Sequence, residues 1–94
     1  MATSLNYSAI IKKVLIDNIG VFFQDLKNEP VFDDEHKKYM LITKGINHTG
    51  KSIYDVLCSI SINQDGKVVL EYNRSDNDFI DLLVSEGIPA TDIN

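Results

Sequence analysis

Gly45-Ile46-Asn47-His48-Thr49-Gly50-Lys51-Ser52 has residue types and spacing that match a known chemical device. It fits the G-x-x-x-x-G-K-[ST] pattern, in which backbone amides cradle phosphates, the lysine reaches them and the hydroxyl holds magnesium. On that reading the chain is a small nucleotide- or phosphate-binding protein using Gly45, Gly50, Lys51 and Ser52. The preceding residues read as a strand, and Ile53, Val56, Leu57 and Ile60 fit helical spacing, so the local context allows it. The same segment fits period two equally well. A nucleotide hydrolase also needs parallel βαβ units and a later magnesium-binding Asp, and the 42 residues beyond Ser52 (94 minus 52) hold neither.

Other reactive types are scattered. Asp33, Asp34 and Glu35 are a hard-cation donor set by type. Neighbours on one short turn seldom converge on a point, however, and a solvated turn accounts for them. His36 and His48 lack Cys or His partners at zinc-ligand spacing, and no His, Cys and Ser grouping suggests a nucleophilic triad. Both histidines read as surface residues. No catalytic residue, metal or cofactor is therefore expected. The glycosylation-like triplets at Asn6, Asn47 and Asn73 read as chance in an Asn-rich cytosolic chain.

The apolar share of 44% and charged share of 24% are those of a globular domain, and 94 residues suffice for one such domain with one modest core. No apolar run approaches the ~20 residues that span a bilayer. The N-terminus carries no secretory pattern and the single Cys58 has no disulfide partner, so a cytoplasmic location is expected. Nine Lys and Arg against fourteen Asp and Glu give a net charge of −5, which opposes the phosphate contacts behind tight nucleic-acid binding. Lys37, Lys38, Lys44 and Lys51 cluster in sequence, as solubilising lysines on strand edges do.

The elements follow from periodicity. Between Leu5 and Ile19, Ile10, Ile11, Val14, Leu15 and Ile19 recur at helical spacing, with Ser4 or Asn6 as cap and Gly20 as stop. Val21-Phe22-Phe23 then lends apolar weight to a connection running to about Asn28. Pro30 places Val31 to Asp33 on a sheet edge. Tyr39 to Ile46 is a second strand. In a third, Tyr54, Val56, Cys58, Ile60 and Ile62 share an apolar face opposite Asp55, Ser59, Ser61 and Asn63, which makes Cys58 a packing residue. Asn63-Gln64-Asp65-Gly66 turns the chain back as Lys67 to Tyr72. Ser75 or Asp76 caps a helix with Phe79, Ile80, Leu83 and Val84 on one face, ended by Gly87-Ile88-Pro89. With no crossover helix, the order predicts an α+β fold: an N-terminal helix, an antiparallel sheet of three to four strands and a C-terminal helix.

Phe32-Asp33, Tyr39 and Leu41, Gly45, Ser59-Ile60-Ser61-Ile62, Gly66-Lys67, Leu83-Val84, Gly87-Ile88-Pro89 and Asp92-Ile93 occur in the order seen in a known family. Over Phe32 to Ile93 the chain resembles the XisI family, small cyanobacterial proteins named as controlling factors for excision of the fdxN element. It departs from the family where tryptophans usually stand, at Ile46 and Val69. Ser52-Ile53-Tyr54-Asp55 replaces an Arg-x-x-Gly, Ser61 replaces an Asp, and the tail beyond Asp-Ile is short. The resemblance thus implies a divergent or C-terminally short member.

It also implies the function expected here: a non-enzymatic accessory protein that binds a protein partner, an XisH-like nuclease or recombination component, in control of DNA element excision. Asp33, Asp34 and Glu35, with Asp78, Asp81 and Glu86 on the last helix, would meet a basic partner surface by charge complementarity. A homo-oligomer is a further expectation, since a small antiparallel sheet leaves an edge or open face for a symmetric copy to cover.

Overall fold

The computed structural model describes residues 6–19 and 26–94. Helix α1 spans Tyr7–Asp17, and the expected choice of cap resolves to Asn6, whose Oδ1 accepts the Ala9 N–H at 3.1 Å. Ile11, Val14 and Leu15 are the buried stripe. Past its end, Asn18 Nδ2 donates to the Val14 carbonyl at 2.7 Å. Ser4, the proposed stop at Gly20 and the Val21-Phe22-Phe23 connection lie outside the described residues.

Four strands follow, β1 (Lys27–Asp33), β2 (Lys38–Ile46), β3 (Ser52–Ile62) and β4 (Val68–Asn73), in one antiparallel sheet of order β1-β2-β3-β4. The first strand is longer than expected. Pro30 sits in its middle opposite Leu41, which an edge strand tolerates because a residue without an N–H can face the unpaired side.

Helix α2 (Phe79–Ser85) is capped by Asp78, which accepts the Asp81 N–H at 3.1 Å, rather than by Ser75 or Asp76. Those earlier residues are taken up by a turn around Asn73. Its Oδ1 accepts from Ser75 N and Oγ at 2.9 and 2.6 Å, and its Nδ2 donates to the Asn77 carbonyl at 2.8 Å. At the far end, Gly87 adopts φ 116°, Ile88 N–H donates to Leu83 O and Gly87 N–H donates to Val84 O, each at 3.1 Å. This is the Schellman stop expected from Gly-Ile-Pro, with Leu83 and Ile88 both fully buried beside it. A 3-10 turn (Ala90–Asp92) then brings Ile93 alongside Val68 in a parallel bridge.

Both helices lie on one face of the sheet. Ile11, Val14, Leu15, Phe79, Leu83 and Ile88 pack against Tyr39, Leu41, Cys58, Ile60 and Val68. Tyr39 buries its ring while its hydroxyl hydrogen-bonds Ser8 Oγ at 2.8 Å and donates to Asp34 Oδ1 at 2.9 Å. Lys12 Nζ donates to the other Asp34 oxygen at 2.7 Å, so one carboxylate joins α1 to the β1–β2 turn. Tyr7 similarly donates to Asp92, tying α1 to the C-terminal turn.

The expected apolar face of β3 is corrected by a bulge. Leu41 pairs with Cys58 but Ile42 pairs with Val56, so Leu57 faces no partner and the inward parity changes there. Cys58 and Ile60 are fully buried, whereas Tyr54 is 73% exposed and Val56 36%. Leu57 packs against the core instead. A second bulge leaves Glu71 unpaired between Leu70 and Tyr72.

Phe79→Ala removes the largest helix side chain from the core and should cost about 3–5 kcal/mol in urea unfolding, a large share of a small domain's stability. A loss under about 1 kcal/mol would contradict this packing. The Asp34 carboxyl is held below its ordinary 3.8, first by the Lys12 hydrogen bond and then by that of Tyr39. Asp33 is lowered likewise, chiefly by its hydrogen bond with His36. Depressed folded-state values give stability that is present above 3.8 and is lost as pH falls through the folded values. Melting temperature should therefore drop on the acid side, and Asp34→Asn should make that drop shallower; an unchanged acid slope would count against the tether.

Candidate functional site

The segment that matches the phosphate-binding pattern is a hairpin. Gly45 lies in β2, Gly50 in the turn, and Ser52 opens β3, where the phosphate device requires a helix to begin. Residues 53–62 are extended. Asn47 Oδ1 accepts the N–H groups of Thr49 and Lys51, both at 3.0 Å, and Gly50 takes φ 84°. The amides that would face a phosphate are thus engaged by a side chain of the turn itself. The nucleotide reading of Gly45, Gly50, Lys51 and Ser52 is corrected on that geometry.

A signal for this was present in the sequence. Asn47-His48-Thr49-Gly50-Lys51 and Asn63-Gln64-Asp65-Gly66-Lys67 are the same Asn-x-x-Gly-Lys pentad. Asn63 Oδ1 accepts from Asp65 N and Lys67 N at 2.9 and 3.0 Å, and Gly66 takes φ 80°, copying the first turn. The second pentad reads as a hairpin from sequence, and its twin required the same reading.

The six acidic candidates fall on two elements. Asp33 accepts the Glu35 and His36 N–H groups at 3.1 Å and contacts His36 Nδ1 at 2.7 Å, building the β1–β2 turn in which Lys37 takes φ 56°. Asp34 is held by Lys12 and Tyr39, as described. Asp78 caps α2, and Glu86 at its end meets Lys13 at 3.2 Å. Lys12 and Lys13, adjacent in α1, thus each hold one member of the two acidic groups. Glu35 and Asp81 differ: both are exposed, and among the described residues neither carboxylate has a hydrogen bond or ion pair. Among the same residues, no group of three or more His, Cys, Asp or Glu gathers as a metal site would require. Burial pushes the Cys58 thiol up to about 12, so it packs rather than reacts.

The sheet face opposite the helices is uncovered among the described residues. Register places Val31, Met40, Ile42, Val56, Ser59, Ser61 and Tyr72 on it. Two ion pairs cross it, Lys44 to Glu29 at 2.6 Å and Lys38 to Glu71 at 3.2 Å, and Glu71 also accepts from Ser59 Oγ at 3.2 Å. The β2–β3 hairpin runs past the end of β1, whose last pair is Lys27 with Lys44, and past β4, whose last pair is Asn73 with Cys58. On the helix side a groove of about 370 Å³ is lined by Leu26, Thr43, Ile53, Asp55, Leu57 and Arg74. Arg74 and Asp55 in its lining stand 3.9 Å apart. Sequence reasoning missed this surface because it carried one alternation through Leu57.

No helix among the described residues is long and apolar enough to cross a membrane. None of the curated proteins matches this chain. Among solved structures, a XisI-like protein from Anabaena variabilis is similar at 27% identity and a TM-score of 0.72, covering 92% of this chain and 75% of that one. The fdxN element excision controlling factor XisI of the same organism shares the fold, at 22% identity and a TM-score of 0.63 over 90% and 74% of the two chains. The XisI protein family matches residues 1–94, end to end, and with the helix–sheet–helix order found here the chain belongs to the XisI family.

Proposed function

We propose that this chain is a non-enzymatic accessory protein that acts in control of DNA element excision by binding a protein partner, an XisH-like nuclease or a component of the recombination machinery. The observation that carries the reading is membership of the XisI family, together with a fold shared with a protein named as an excision controlling factor. Charge supports the indirect route. At a net −5 the chain has little to offer a phosphate backbone, so an influence on DNA passes through a protein that does bind it.

A basic partner surface would meet Asp33, Asp34 and Glu35 on the β1–β2 turn and Asp78, Asp81 and Glu86 on α2. Four of these six have work inside the fold as cap, turn former or ion-pair partner. Glu35 and Asp81 are the two that can engage a partner without giving up an internal contact. Acids of this kind steer association more than they set final affinity.

The test uses this chain and a purified XisH-like protein from the same genome. A complex is expected at low salt, weakening as salt rises. Joint Glu35→Lys and Asp81→Lys substitution should slow association about tenfold, with the melting temperature lowered only by the loss of a first-turn acid from α2. Absence of a complex at low salt overturns the partner reading. A complex indifferent to both salt and the substitutions removes the acidic surface from it.

A further inference from the structure

Among the described residues several stretches of strand edge have no neighbouring strand, and the sequence treats them differently. The outer edge of β1 carries Pro30 in mid-strand, between Glu29 and Lys27 on one side and Asp33 on the other, which discourages pairing. β4 is engaged at its start, where Ile93 bridges Val68 and Asn94 N–H donates to Val68 O at 2.8 Å. A third stretch is Ser52 to Val56 of β3. It has β2 on one side and, among the described residues, no strand on the other. It contains no proline and no bulge, and Tyr54 within it is 73% exposed. Beyond Lys44 the hairpin is, among the described residues, a two-stranded ribbon, an arrangement of marginal stability in water without further strands.

The ladder fixes which peptide groups this edge offers. Asn47 N–H donates to Lys51 O at 2.9 Å, making that pair hydrogen-bonded, so Ile53 and Asp55 turn their groups toward β2. Ser52, Tyr54 and Val56 then turn theirs outward. A symmetric antiparallel neighbour can align outward residues only with outward residues, which leaves axes at Ile53, Tyr54 or Asp55. An axis at Asp55 opposes two like charges. An axis at Tyr54 sets Asp55 against Ile53 and Lys51 against Leu57.

An axis at Ile53 sets Lys51 of each copy against Asp55 of the other, with Ile53 against Ile53 between them. Lys51-Ser52-Ile53-Tyr54-Asp55 is self-complementary in charge about its centre. Within its own chain, Asp55 has only the Arg74 contact at 3.9 Å, and Lys51 has no carboxylate in ion-pair range among the described residues. We propose that two copies of this chain join edge to edge through Lys51–Asp55, antiparallel about Ile53, merging their sheets into one. The interface is isologous and independent of the partner reading above.

Sedimentation of the full chain at low salt tests it. The wild type should dimerise at submillimolar concentration. Lys51→Asp and Asp55→Lys should each weaken association about tenfold, because each turns two attractive cross-strand pairs into repulsive ones. The double swap should restore it. Ile53→Cys should cross-link on oxidation, since a non-hydrogen-bonded pair on the axis brings Cα atoms to about 4.5 Å. Buried Cys58 in the unsubstituted chain is the control. A monomeric wild type, a double swap no better than its single components, or an Ile53→Cys variant that stays uncross-linked overturns the proposal.

Discussion

The structure depends on β3 being extended along its whole length, held at both ends by the same turn. Asn47 and Asn63 each spend a side-chain oxygen on two backbone N–H groups of their own loop, and Gly50 and Gly66 supply the left-handed residue. With both ends reversed, β3 pairs with β2 on one side and β4 on the other, and the sheet has no room for a crossover. The helices have one apolar face to cover, Tyr39, Leu41, Cys58, Ile60 and Val68, and they cover it. The same constraint disposes of the phosphate cradle. A glycine and lysine that follow an Asn by three and four residues belong to a hairpin exit, whatever pattern the flanking letters complete.

Much of this was legible in the sequence because local signals agreed with the tertiary outcome. The α1 stripe, the turn at Asn63 to Gly66 and the Gly87-Ile88-Pro89 stop each involve residues whose preferred conformation is also the one that packs. Features that rest on competition between neighbours were not legible. Ser75, Asp76 and Asp78 can all cap a helix, and the winner was decided by Asn73, which draws Ser75 into its own turn. The bulge at Leu57 is a matter of register between two strands, so no periodicity within β3 alone reveals it. Its effect is large: it turns Tyr54 and Val56 away from the core that their spacing from Cys58 implies.

The acidic candidates show why residue type is a poor guide to a binding surface. Asp33 is a turn former, Asp34 is the link between α1 and the sheet, and Asp78 is a cap. Each is negatively charged because its local backbone or a lysine needs an acceptor, and an external partner would have to compete with that use. Glu35 and Asp81 have neighbours of the same charge and, among the described residues, no hydrogen bond or ion pair from their carboxylates, which a sequence pattern cannot register. Glu86 is intermediate, since its contact with Lys13 is between exposed groups and contributes little to stability.

Two parts of the sheet have no covering element among the described residues, and they are protected to different degrees. On the face away from the helices, Ile42 is only 4% exposed, with Glu29 and Val56 opposite it across the strands and Met40 and Lys44 beside it along β2. The ion pairs Lys44–Glu29 and Lys38–Glu71 and the hydroxyls of Ser59 and Ser61 stand among the apolar side chains of that face. The outer half of β3 has no equivalent defence: its peptide groups point outward, its aromatic is exposed, and its one acid and nearest lysine stand two residues either side of Ile53. Guarded edges elsewhere in the same sheet make this exception informative. An edge that selection had only to keep soluble would carry a proline or an inward charge as β1 does, whereas one with a charge pattern complementary to itself is suited to pairing with its own copy.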